Sequence, residues 1–192
     1  MDVSKINSLV ELYFKKVEQI DKKKPFLQWL NPKNNHQYNW EEVTEKIYKF
    51  SYKIKSLIKE GDRVLLLSEN RPEWLIADLA IMNAGGITVP IFTTYAERDY
   101  EYILKDCSPS LIVVSNDTQF EKINKFIDNK EIISFEKIKT SSITFESIFN
   151  EKYEKEINDK LNRKLPACII YTSGTSGNPK GVILSHGGIL SN

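Results

Sequence analysis

Cysteine and histidine are scarce, with two of each in 192 residues. Cys107 and Cys168 stand far apart, each inside an apolar segment, with no C-x-x-C pair and no Cys/His cluster nearby. That arrangement excludes a disulfide scaffold and leaves no zinc-ligand spacing. It predicts two reduced, buried thiols in a cytoplasmic protein. An excess of one charge is also missing: 27 Lys and Arg face 26 Asp and Glu, for a formal net charge of +1. Bulk charge therefore gives no footing to a nucleic-acid partner. No basic stretch followed by an apolar run opens the chain, which starts Met1-Asp2-Val3-Ser4-Lys5. A secretory leader is not expected, and Asp2 in place of glycine excludes N-myristoylation. Long hydrophobic runs are lacking as well. Leu79 to Ala96 is uncharged, but Asn83, Gly85, Gly86, Thr88, Pro90, Thr93 and Thr94 interrupt it, which reads as helix, turn and buried strand rather than a membrane span. Asn116-Asp117-Thr118 spells a glycosylation sequon that, without a leader, is taken as coincidence.

What the chain does have is 41% hydrophobic and 28% charged residues, enough to bury a core, at a length that allows one ordinary domain or one and a half. Ile6, Leu9, Val10, Tyr13, Val17 and Ile20 recur at helical spacing behind Ser4 as N-cap. Lys15, Lys16 and Lys22 to Lys24 make the back of that helix basic. Contact with a membrane surface and packing on a core are the two readings, and the interspersed Glu11, Glu18 and Asp21 favour the core. Apolar residues on either side of Asn31-Pro32-Lys33-Asn34-Asn35 suggest a hairpin, with His36 alone on the surface. Asn39 and Glu42 form a capping box for a helix through Val43, Ile47, Phe50, Ile54 and Ile58, stopped by Gly61.

Beyond Gly61 the chain alternates between short apolar runs and helical patterns. Val64–Leu67, Ile87–Phe92, Leu111–Val114 and Glu131–Phe135 read as buried strands. Between them lie a helix opened by Asn70 and Pro72 and ended at Gly85-Gly86, one capped by Thr94 and Glu97, and one through Phe120, Ile123 and Ile127. This alternation specifies an α/β fold on a largely parallel sheet. Ser141 to Lys164, helix-like at Ile148, Phe149, Tyr153, Ile157 and Leu161, reads as a charged surface excursion, and a domain boundary near residue 140 is conceivable.

The glycines gather at the end. Strand Ala167–Tyr171 runs into Thr172-Ser173-Gly174-Thr175-Ser176-Gly177-Asn178-Pro179-Lys180-Gly181, and a second apolar run, Val182–Leu184, follows. Glycines let backbone N–H groups approach phosphate oxygens, hydroxyls donate to phosphate or reach Mg²⁺, and a lysine follows the charge as bonds break. The stretch is not a Walker A loop, because Lys180 precedes Gly181 and a strand-like run. A Gly-rich hairpin turn is the competing reading, although a turn requires fewer special residues.

Tyr171 to Val182, with Leu184-Ser185-His186 after it, resembles the signature phosphate loop of the AMP-forming adenylating enzymes: acyl-CoA synthetases, luciferases and peptide-synthetase adenylation domains. Asn70-Arg71-Pro72-Glu73-Trp74, Ala84-Gly85-Gly86-Ile87-Thr88-Val89-Pro90-Ile91 and the Tyr102-Ile103-Leu104 helix are similar to the long-chain fatty acyl-CoA synthetase branch. The resemblance runs from about Leu9 to Asn192 and is weakest between Ser115 and Lys164. It implies that residues 1–192 form the N-terminal part of an adenylation domain with the layered parallel sheet of the acyl-adenylate-forming (ANL-type) fold. The catalytic-lysine domain, the adenine and ribose contacts and the fatty-acid tunnel would then lie past Asn192, and no catalytic residue is expected within the chain.

By the same resemblance Thr172, Ser173, Gly174, Thr175, Ser176, Gly177 and Lys180 hold the β- and γ-phosphates of ATP. ATP with Mg²⁺, a long-chain fatty acid and coenzyme A are the implied ligands, and the metal's own ligands stay open. Ser176 replaces a commoner Thr, and Gly188 stands where relatives usually carry Asn. A fatty acyl-AMP ligase or another carboxylate-adenylating ligase is the alternative within the chemistry, and a non-catalytic remnant or binding module the alternative outside it. An insoluble substrate and the basic first helix suggest peripheral contact with the cytoplasmic membrane face. Oligomeric state stays open.

Overall fold

The computed structural model describes residues 2–30, 35–140, 142–172 and 177–192. Its first helix starts later than the apolar spacing predicts. Val3–Lys5 forms a short 3-10 turn capped by Asp2, whose carboxylate accepts the Ser4 N–H. Helix α1 (Leu9–Glu18) begins behind Ser8, whose hydroxyl accepts the Glu11 N–H at 3.0 Å. Ser8, not Ser4, is the cap because Glu11 stands three residues on and reaches back to the Asn7 N–H at 2.6 Å, a close variant of the capping box. Val10, Tyr13, Phe14 and Val17 are buried in one core cluster with Val43, Ile47, Phe50 and Ile54 of helix α2 (Trp40–Lys55). The apolar stripe of α1 thus faces protein, while Lys15 pairs with Glu11 outside at 2.6 Å.

Strands β1 (Pro25–Trp29) and β2 (His36–Asn39) pair antiparallel, as the turn-rich segment between them suggests. His36 is exposed. The Asn39–Glu42 capping box forms in full, with both bonds under 3 Å. α2 ends at Lys55, and the chain turns through Ile58 to Gly61 at φ +81°.

Among the described residues seven strands form one sheet in the order β7-β6-β5-β3-β4-β8-β9. These are β3 (Arg63–Leu67), β4 (Ile87–Ile91), β5 (Leu111–Val114), β6 (Glu131–Ser134), β7 (Ile143–Thr144), β8 (Pro166–Thr172) and β9 (Lys180–Ser185). All pairs are parallel except β8–β9. Val64 to Leu67 are fully buried because each face has its own cover. Val64 and Leu66 belong to the cluster with α1, α2 and helix α3 (Pro72–Asn83). Leu65 and Leu67 belong to the cluster with helices α4 (Glu97–Cys107) and α5 (Asp117–Ile123). The α/β expectation is met.

Four expectations are corrected. Thr94 does not cap α4: the helix opens behind Ala96 with no side-chain cap bond, while Tyr100 donates its O–H to the Phe92 carbonyl and holds the preceding loop. Asn70 does not cap α3 either; Arg71 holds that place without a cap bond, Pro72 supplying the preset backbone. The segment after residue 141 is not one helix. Only α6 (Phe145–Phe149) is helical; Phe145, Ile148 and Leu161 are buried in the α2 cluster, while the charged stretch from Asn150 to Lys160 runs largely exposed, as expected. No domain boundary falls near residue 140, because β7 joins the same sheet through Ile133↔Ile143.

The sequon is taken up by structure: Asn116 caps α5 through its side chain. Both thiols are free, Cys107 buried and Cys168 half-buried, with burial pushing them up to about 12 and about 11. No helix of the described residues is long and apolar enough to cross a membrane. Helix α7 (His186–Leu190) closes the chain, capped by the Ser185 hydroxyl on the Gly188 N–H, so Gly188 does not disturb the cap.

Candidate phosphate-loop site

Parallel strands send their carboxyl ends to one edge. Here Leu67 of β3, Ile91 of β4 and Thr172 of β8 all emerge there. β3 lies between β4 on one side and β5 on the other, and on the β4 side this carboxyl edge opens into a crevice. The crevice is present, at about 480 Å³. Its walls are Ser68 to Asn70 after β3, Phe92 to Thr94 after β4, Trp74 of α3 and Ile170 of β8.

Of the seven residues singled out in the sequence, Thr172, Gly177 and Lys180 are placed. Ser173, Gly174, Thr175 and Ser176 lie outside the described residues. Thr172 is the last residue of β8, Lys180 the first of β9, and the two are register partners. Both side chains are exposed, while Pro179 between them is buried. Gly177 sits at φ +92° with nothing within 4 Å of a notional Cβ, so its backbone conformation rather than crowding calls for glycine. β8 and β9 are the two arms of a hairpin, and the connection between Thr172 and Lys180 has more residues than a tight hairpin needs.

Each flank of the connection is pinned by groups that spacing alone did not single out. The Tyr171 phenol donates to the Asp106 carboxylate, and burial with that carboxylate raises its titration. The Tyr171 ring also covers Gly181, where an added Cβ would stand 3.1 Å from it. Tyr95 donates its O–H to the Tyr171 carbonyl at 2.9 Å. Across the crevice, Glu69 accepts from Ser115 at 2.6 Å, Gln119 at 2.6 Å and Asn116 at 3.3 Å, and these bonds hold its carboxyl below the usual range against the opposing effect of burial. Phenol and carboxylate partners arrive from distant elements, so no sequence spacing announces them. His186, close in sequence, lies elsewhere: it is buried, its Nδ1 accepts the Leu9 N–H at 3.4 Å, and burial pushes it down to about 4.

The donor set suits an anion. It joins an exposed lysine to an exposed threonine across the mouth of a glycine-bearing loop. Among the described residues no group of three or more His, Cys, Asp or Glu comes together to hold a metal.

The chain is 33% identical over 148 residues to a long-chain-fatty-acid–CoA ligase of Gallus gallus, a match covering 69% of the chain and 19% of that protein. It is 31% identical over 150 residues to a long-chain-fatty-acid–CoA ligase of Homo sapiens, covering 71% and 21%. The chain thus spans about one fifth of the length of these curated relatives. An anthranilate–CoA ligase crystallised with anthranoyl-AMP superposes at a TM-score of 0.82, with 22% identity over 97% of this chain and 36% of that one. A fatty acyl-adenylate ligase from L. pneumophila, in complex with acyl adenylate and pyrophosphate, superposes at 0.75 with 22% identity over 100% of this chain and 32% of that one. The fold is that of the N-terminal part of the acyl-adenylate-forming enzymes. The family profile described as AMP-binding enzyme matches residues 14–192, and the chain belongs to that family.

Proposed function

We propose that the polypeptide bearing this chain activates a long-chain fatty acid with ATP and passes the acyl group to coenzyme A. The observation that carries the reading is the loop leaving the carboxyl edge of β8, with Thr172 and Lys180 facing each other across its mouth. The long-chain ligases among the relatives support the choice of acid. In the first step a carboxylate oxygen attacks the α-phosphorus, the bond to the β-phosphate oxygen breaks, and acyl-adenylate and pyrophosphate form. In the second, the thiol sulfur attacks the acyl carbon, AMP leaves and the thiol proton goes to solvent.

The loop acts electrostatically. Lys180, the hydroxyls of Thr172, Ser173, Thr175 and Ser176, and the N–H groups freed by Gly174 and Gly177 meet the charge that collects on departing pyrophosphate. Such donors act most strongly at the transition state, because the charge they face is largest there. Magnesium would enter bound to ATP, and a loop hydroxyl is the group of this chain that could reach it.

The test is fatty-acid-dependent exchange between ATP and pyrophosphate, followed by thioester formation on adding coenzyme A. Lys180→Ala should lower exchange by about 10²–10³, the usual loss for one such donor. Thermal stability should hold, because the Lys180 side chain is exposed. Exchange without any thioester product would make the protein an acyl-AMP ligase. Exchange driven by a different carboxylate would change the substrate, and no exchange with any acid would leave a non-catalytic remnant or binding module.

A further inference from the structure

Strands β4 and β8 flank the crevice, yet a single register pair, Thr88↔Cys168, joins them. Past it β4 stays in step with β3 through Leu66↔Pro90 and Leu67↔Ile91, but shares no further pair with β8. Pro90 lies where that ladder would continue and has no N–H to give. The carboxyl end of β8 is therefore laddered on one side only, by β9.

Tyr95 takes up the open side. Its O–H donates to the Tyr171 carbonyl at 2.9 Å, one residue before Thr172. The ring is held edge-on between Phe92 and Tyr100, with centroids 5.4 and 6.2 Å away. The backbone that carries it is fastened at two carbonyls, Phe92 by the Tyr100 phenol at 2.9 Å and Thr93 by the Lys122 ammonium at 2.7 Å. Tyr95 is only half-buried, so its phenol adds little to the core beyond this one bond. It works as a strut from the segment before α4 to the root of the loop.

We propose that Tyr95 is a positioning residue for the phosphate loop, fixing the backbone at Tyr171–Thr172 and with it the spacing between Thr172 and Lys180. The proposal rests on the phosphate-binding reading of the loop. Tyr95 touches no reacting atom; it acts through the Tyr171 carbonyl.

The variant is Tyr95→Phe, which removes the hydroxyl and keeps the ring. Amide hydrogen exchange of the peptide covering residues 171–181 reads the geometry and needs no turnover. Exchange should quicken by about 3- to 10-fold, the worth of one such bond. The matched control is Tyr13→Phe, which loses the buried bond to Thr44 at 2.9 Å between α1 and α2. It should lower stability without altering exchange at 171–181. In ATP–pyrophosphate exchange, Tyr95→Phe should raise KM for Mg·ATP by about 3- to 10-fold and leave KM for the carboxylate unchanged, a split that lost stability does not produce. Unchanged amide exchange at 171–181 overturns the proposal, and so does faster amide exchange with an unaltered KM for Mg·ATP. If the unsubstituted protein shows no ATP-dependent turnover, the functional reading fails and takes this role with it, while the amide-exchange result still stands as a statement about the strut.

Discussion

Two adjacent glycines in α7 should respond to alanine with opposite signs. A Cβ on Gly187 would stand 2.7 Å from the Arg163 carbonyl oxygen and 2.8 Å from the Arg163 Cβ, both too near the backbone to yield cheaply. The Gly187 N–H already donates to that same carbonyl at 2.8 Å, so relieving the clash stretches this bond. Overpacking costs about 1–3 kcal/mol and a weakened hydrogen bond about 1 kcal/mol. Alanine returns about 1 kcal/mol of helix propensity, leaving Gly187→Ala destabilised by about 1–3 kcal/mol.

At Gly188 the nearest atom to a Cβ is the Ser185 hydroxyl at 3.4 Å, an ordinary contact, so Gly188→Ala keeps the propensity gain and should stabilise by about 0.5–1 kcal/mol. Urea denaturation of the parent and both variants, with unchanged slope, gives the comparison. Equal midpoints for Gly187→Ala and the parent, or a larger loss at Gly188 than at Gly187, would refute the reasoning.

The buried His186 predicts an acid limit. Burial lowers it to about 4 from an ordinary 6.5, so the unfolded chain takes up the proton first, and stability falls as pH drops through that window, by up to about 3 kcal/mol in all. Asp78, raised to about 6 by burial, acts the other way, losing stability as it ionises with rising pH. The comparison that isolates the histidine is therefore parent against His186→Gln from pH 7 to 4.5; a difference in unfolding free energy that does not narrow toward low pH counts against it. The cysteines give a thiol test. With Cys107 near 12 and Cys168 near 11, a disulfide reagent at pH 8 should modify neither quickly in the folded protein and both in urea, Cys168 going first during slow modification. Fast native-state reaction at Cys107 would contradict its burial.

Much of the sheet was legible because its strands are buried on both faces and so read as unbroken apolar runs, as at Val64–Leu67 and Leu111–Val114. The β8–β9 hairpin was legible because glycine, asparagine and proline gather between two apolar runs. Helix starts were harder. Ser4 and Ser8 are both fit caps, and the choice fell to Glu11, whose carboxylate reaches back to Asn7. Thr94-x-x-Glu97 has the letters of a capping box, but the Phe92–Tyr95 loop is claimed by tertiary bonds from Tyr100 and Lys122. The helical spacing from Ile148 to Leu161 failed for a related reason: Ile148 and Leu161 are buried in the α2 cluster while Ile157 between them is exposed, and only Phe145–Phe149 coils. Tyr95 and Asp106 were invisible because their partner, Tyr171, lies 76 and 65 residues away.

The bond from the Leu9 N–H to His186 spans 177 residues, and Arg163 donates to the Ile6 carbonyl at 2.9 Å, 157 residues back, as well as to the Ser191 hydroxyl at 2.9 Å. During synthesis α1 therefore emerges long before the groups that lock it. At roughly 5–20 residues per second, the Leu9 amide waits on the order of 10–35 s for its histidine. For that interval Val10, Tyr13, Phe14 and Val17 rely for shelter on the elements already made, α2, α3 and Phe26 of β1 among them. A ribosome stalled ahead of Arg163 would display a nascent chain whose first helix is docked but unlatched, the form most open to chaperone capture or proteolysis.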